Sequence, residues 1–337
     1  MTVFYSRAFV CVAASALAAL TPAAFAQASE PETITLRTGP QPEPIIVEGQ
    51  KPLDKKDARA AVRDLAMRGR SHLKPLAKYS KPLCLSVAGL GERYNTQVAD
   101  RVKQNATDAE IPIADADCKT NAAVVVVKNP EKLIKRLRKV KPRLVSMEAN
   151  HRIRDSRARG DAYYAWSQDR VGRPGGGRAV ERGEVAGAAG TALFGNPGFT
   201  VPTNRILGTS KFTISYSIQR RFSIIIFDVE RLGGVHLNQL ADFATMRLLT
   251  EPQPTVELEN ARTDSILTLF DVDPESAPPV MTQLDRAYLR GLYKMRPNEK
   301  SSRLERFVLA ELETMQSGAM DDGDCRPEGA ADCAITP

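Results

Sequence analysis

The sequence predicts an α+β fold, a mixed sheet with packed helices, over residues 53–317. Three observations predict it. First, the strand-like run LCLSVAGL (83–90), the helical segment ERYNTQVADRVKQNATDA and the β-rich run NAAVVVVKN (121–129) have the spacing of a β-α-β unit. Second, KFTISYSI and RRFSIIIFDV (211–218 and 220–229) read as two strands of a hairpin or one bent strand. Third, the last hundred residues carry helical periodicity with boundary signals, in HLNQLADFATMRLL (236–249) and from Thr282 to Met295.

The elements follow in order. Arg7, the 12-residue apolar run FVCVAASALAAL and the small-x-small exit Ala24-Phe25-Ala26 predict a secretory signal peptide cleaved after Ala26. That run is shorter than the roughly 20 residues a membrane span takes, and no other stretch is longer, so no transmembrane segment is expected in the mature chain. Cleavage leaves 311 residues (337 − 26) and a net charge of +6 (46 basic − 40 acidic), with a periplasmic or secreted location.

Residues 27–52 hold Pro31, Pro40, Pro42, Pro44 and Pro52 with few hydrophobes, which predicts an extended, flexible leader. Leu53, Ala58, Ala61, Val62 and Leu65 then fall on one helical stripe. The helix of the β-α-β unit carries Val98, Val102 and Ala106 at spacing four. A third helix is expected in PEKLIKRLRKVKPRLV (130–145), with Pro130 in its first turn.

That segment opens the strongest charge asymmetry in the chain. From Lys128 to Arg182 there are 16 basic and 6 acidic residues, a local +10. Lys135, Arg136, Arg138 and Lys139 are the candidate anion-binding residues, because clustered cations raise the local concentration of an anionic partner. The bland alternative is a solvated face with a flexible arginine-rich arm, which Tyr163, Tyr164 and Trp166 in DAYYAWSQ would dock onto the body. Residues 172–199, with RPGGGR and GEVAGAAG, read as a long loop or flap. Nucleic acid is not an expected partner, since no aromatic platform interleaves the cations. The expected partner is an envelope protein or an anionic surface.

Thr282 and Asp285 form a T-x-x-D capping pattern, with Leu284, Tyr288, Leu292 and Met295 as the apolar stripe of that helix. A further helix is expected over about 301–317, and residues 318–337 form a tail. Without Cys11, four cysteines remain: Cys84, Cys118, Cys325 and Cys333. An even number in an exported chain points to disulfides, with three connectivities open, local pairing being the simplest. No C-x-x-C occurs, so neither a redox pair nor a zinc-thiolate site is indicated.

Other chemistries lack their residues. RPGGGR has no G-K-[ST] ending, G-x-S-x-G is absent, and the acids near 251–275 lack calcium-loop spacing. Asp161, Asp169 and Asp228 define no acid/base pair.

The C-terminal order, FSIIIFDV, HLNQLADFATMRLL, a turn at Ser265-Ile266-Leu267 and TQLDRAYLRGLY, resembles a zincin metallopeptidase without its zinc ligands. In that fold a sheet leads into a helix bearing H-E-x-x-H, a Ser-x-Met-like turn follows, and a closing helix of the form L-x-x-x-D-x-x-x-L-x-x-L-Y ends the unit. The whole chain is also similar to a family of secreted bacterial envelope proteins, through the I-V-x-G-type leader in EPIIVEGQKP and the D-R-A-Y-L-R-x-L-Y helix. A catalytic zinc takes three protein ligands and an open position. Here only His236 matches; Leu237 stands where the general base belongs, Leu240 where the second His belongs, and Met246 where the longer pattern puts a third ligand.

The resemblance therefore implies a scaffold with no catalytic residues, no cofactor and no metal, His236 being the one weak metal candidate. The expected function is non-catalytic binding in the periplasm or at the cell envelope. Two alternatives stand: a metal-dependent hydrolase or peptidase with an atypical site, and a structural envelope protein associating with anionic surfaces through its basic arm.

Overall fold

The computed structural model describes residues 53–66, 74–176, 181–184, 200–203, 214, 216–254, 258 and 264–321. The expected signal peptide, the leader and His72 lie outside the described residues, as do Cys325 and Cys333; of the expected tail, residues 318–321 instead continue the last helix and the rest lies outside the described residues.

A mostly parallel sheet forms the centre. Its strands are β1 (Lys78–Tyr79), β2 (Leu85–Ala88), β3 (Ala122–Val127), β4 (Tyr163–Gly172) and β7 (Ser217–Asp228). β5 (Glu181–Glu184) and β6 (Thr200–Thr203) form a separate antiparallel pair. Strands β2, β3 and β7 run parallel in that order, with Val87 opposite Val124 and Val124 opposite Ile225. The short β1 continues the β3 side along the start of β7. β4 lies antiparallel on the other side of β7, with Trp166 opposite Ile224.

Of the two apolar runs around residue 220, β7 takes in nearly all of the second and Ser217 and Ile218 of the first; residues 211–213 and 215 lie outside the described residues. The register of β7 against β4 slips where Gln168 faces Phe222 and Asp169 faces Arg220, a bulge that leaves Arg221 unpaired in the ladder.

Seven helices lie among the described residues: α1 (Lys55–Leu65), α2 (Glu92–Asp108), α3 (Pro130–Val140), α4 (Met147–Arg159), α5 (Leu237–Leu249), α6 (Gln283–Lys294) and α7 (Leu304–Asp321). The β-α-β unit is β2, α2 and β3. Its first corner turns at Gly89, whose φ is +109° and where a Cβ would sit 1.9 Å from the Val126 carbonyl oxygen, so only glycine fits. Cys84 and Cys118 are joined by a disulfide beside this unit.

Alternation along the strands assigns each face. Val124, Val126, Ile225 and Phe227 are buried on the side of α2 and α5, which pack against each other. Ile224, Ile226, Tyr164 and Trp166 face Ile134 of α3 and Ala149 and Ile153 of α4. Over its described residues the basic stretch is thus no flexible arm. It is a helix pair packed on the sheet through Ile134, Val145, Ala149 and Ile153, followed by the strand β4, whose first residues are buried.

Pro142 starts a 3-10 turn, Pro142–Leu144, that ends α3 earlier than the sequence suggests. Ser146 caps α4 by accepting from the Ala149 N–H, and Gly160 closes it in the left-handed region. Tyr163, Tyr164 and Trp166 are core residues of β4 rather than a docking patch. The glycine-rich segment expected as a loop contains the β5 strand.

Candidate functional site

Two features carry the functional question: helix α5 and the α3–α4 layer. His236 is the N-cap of α5, half-buried, and its backbone N–H donates to Gln239 Oε1 at 3.0 Å. Gln239 Nε2 in turn donates to the Pro274 and Pro278 carbonyls at 3.0 and 3.2 Å. Leu237 and Leu240 are buried in the core, and so is Met246. All the positions of the metal pattern after His236 therefore serve packing.

The polar chemistry of α5 lies elsewhere along it. The buried Asp242 accepts two hydrogen bonds from Arg101 of α2, at 2.8 and 2.9 Å. It also accepts from Asn105 at 2.6 Å and from the Met281 N–H at 2.7 Å. Four donors on one carboxylate match its full accepting capacity. The side chain is a clamp between α2, α5 and the start of α6. No signal of spacing in the sequence marked Asp242, since its partners lie 39 to 141 residues away.

A second saturated carboxylate joins the turn at Ser265-Ile266-Leu267 to α6. Asp285 accepts from the Ser265 hydroxyl, the Ile266 N–H, and the N–H and hydroxyl of Thr282. Burial raises its pKa, and the four donors oppose that rise. The T-x-x-D pattern was legible in sequence; the link to Ser265 was not.

Among the described residues, no three His, Cys, Asp or Glu side chains converge as a metal-binding group. His151 is exposed on α4, where its Nδ1 lies 3.2 Å from Arg154.

The basic layer divides into two parts. The arginines of α4 are paired: Arg157 with Glu131 at 2.6 Å, Arg159 with Asp161 at 2.6 Å, and Arg152 with Glu148 and Glu251 at 3.4 Å each. The cations of α3 and its connector are not. Lys132, Lys135, Arg136, Arg138, Lys139, Lys141 and Arg143 are all exposed. None of their side chains makes an ion pair among the described residues. The four candidates from the sequence thus stand together on one exposed helix, joined by three more.

A wide cleft opens between the end of α4, the start of β4 and the segment around Phe270. Its cations are engaged within the protein: Arg159 on Asp161, and Arg231 donating to the Gly160 carbonyl. Tyr163 and Phe270 line the cleft and pack on the fully buried Phe227 and Phe243 behind them. The polar groups are turned toward each other, unlike the seven cations of α3 and its connector.

Comparison of the chain with protein-family models, curated proteins and solved structures finds no match in any of the three. No helix among the described residues is long and apolar enough to cross a membrane.

Proposed function

We propose that this protein is an exported, non-catalytic binding protein of the cell envelope, built on a zincin-like C-terminal scaffold, that presents its basic α3 layer to an anionic surface. The observation that carries the reading is the set of seven exposed cations without ion-pair partners among the described residues. Fixed like charges repel one another, so a protein that concentrates them on one helix and its connector gains from an anionic partner that neutralises them.

The scaffold reading is supported by the order strand, helix, turn and closing helix, with Asp285 tying Ser265 to Thr282. The silent reading is supported by Leu237 and Leu240, which can neither take a proton nor bind zinc, and which are buried.

Two measurements test this. Mature protein and a Lys135→Glu/Arg136→Glu/Lys139→Glu variant are compared for retention on an anionic matrix; the wild type is expected to elute at clearly higher salt. Equal elution would remove the proposed role of the layer. Elemental analysis after purification without chelator is run beside His236→Ala. One equivalent of zinc, lost in the variant, would replace the silent reading with the metal-dependent hydrolase.

A further inference from the structure

The α3–α4 corner combines its charge with two exposed apolar side chains. Val140 closes α3 and is 62% exposed; Met147 opens α4 and is 78% exposed. They are the two most exposed large hydrophobic residues described, and a single connector joins them. Lys139, Lys141 and Arg143 flank them in sequence, with Arg138 one residue further back.

The exposure is held in place rather than a product of slack. Trp166 Nε1 donates to the Leu144 carbonyl at 2.8 Å, and Gln168 donates to the Arg143 carbonyl. Val145 is buried in the cluster that holds Trp166, and Ser146 caps α4. The connector is pinned to β4, so Val140 and Met147 cannot fold inward without breaking these contacts.

Resting on the anionic-surface reading above, we infer that this corner docks on a bilayer containing acidic lipids, with Val140 and Met147 entering the headgroup region and the surrounding cations held at the phosphates. A soluble polyanion would satisfy the charges and leave both apolar side chains in water. An acidic bilayer satisfies both, since interfacial binding adds buried apolar area to electrostatic attraction. Each basic residue close to such a surface strengthens binding roughly fivefold. The paired arginines of α4 contribute less, because their charge is already compensated.

The test uses the mature chain with phosphatidylcholine vesicles, with and without phosphatidylglycerol, and with heparin as a soluble polyanion. Val140→Ser/Met147→Ser is expected to lose about tenfold in affinity for acidic vesicles and nothing for heparin. In a Met147→Trp variant, fluorescence is expected to be quenched by brominated acidic lipid. The one native tryptophan, Trp166, is only 3% exposed and supplies a low background. Unchanged vesicle affinity in the serine variant, with no quenching in Met147→Trp, would overturn bilayer docking while heparin binding kept the anionic-surface reading. Binding to neither vesicles nor heparin would remove both.

Discussion

Arg101 of α2 grips Asp242 of α5 with two parallel hydrogen bonds, from Nε at 2.8 Å and from Nη2 at 2.9 Å. The arginine keeps 29% of its side chain in solvent while the aspartate has none, so the pair is asymmetric. Losing Arg101 leaves a buried carboxylate short of its charge partner, whereas losing Asp242 leaves an arginine that can turn to water. Arg101→Met is therefore expected to destabilise the fold by about 3 kcal/mol. Urea unfolding of the two proteins measures it; a difference below about 0.5 kcal/mol would mean that Asn105 and Met281 suffice to hold the carboxylate.

Asp285 supports a separate prediction, because all four of its partners donate. An amide in its place loses the charge and turns one acceptor into a donor, which must face either backbone N–H groups or the Ser265 hydroxyl, whose own proton then loses its acceptor. Asp285→Asn is expected to cost roughly 2–3 kcal/mol, although the side chains have the same shape. Asp285→Asn as stable as the wild type would mean that the charge is not needed and that the Ser265 hydroxyl turns to accept from the amide.

Lys78 carries the pH dependence. Its Nζ donates to the Leu292, Tyr293 and Met295 carbonyls at the end of α6. Burial pulls its pKa down to about 8, against a smaller opposing pull from Glu299. The unfolded chain then binds this proton more tightly than the folded one. The contribution of Lys78 to stability therefore rises as pH goes from about 8 toward the ordinary lysine value near 10.4, and is flat below 8. The stability difference between wild type and Lys78→Met, followed across this range, should grow in favour of the wild type. A constant difference would mean that the three carbonyls keep the ammonium at its ordinary pKa.

The Cys84–Cys118 bridge closes a loop with a sequence separation of 34. Cross-linking a loop of that size restricts the unfolded chain by about 3–4 kcal/mol. Cys84→Ser/Cys118→Ser is expected to lose that much in thermal or urea unfolding. An unchanged midpoint would mean that strain in the folded state cancels the restriction.

Local signals in the sequence located most of the elements and few of their partners. The β2–α2–β3 unit, the Thr282 cap and the stripe of α1 follow from spacing and turn chemistry within a few residues. The α4 helix did not, because arginines dominate its sequence and only Ala149 and Ile153 signal its buried side. β4 was hidden for a related reason: Tyr163, Tyr164 and Trp166 are followed by polar residues, and their burial depends on helices and a strand distant in sequence. The candidate cations were legible as a cluster. Which of them stay unpaired was not, since it depends on the reach of Glu131, Glu148, Asp161 and Glu251.

The sheet places its latest strand at its centre. β7 begins at Ser217, yet it is the shared neighbour of β1, β3 and β4. A chain emerging from its N-terminus can pair β2 with β3 early, but β3 gains its second neighbouring strand only after some ninety further residues have arrived. Long-range pairing of this kind slows folding. Until β7 is delivered, the edges of β3 and β4 that pair with it remain open to other chains. The fold is thus completed late by design of its connectivity, and its most aggregation-prone moment falls just before residue 217.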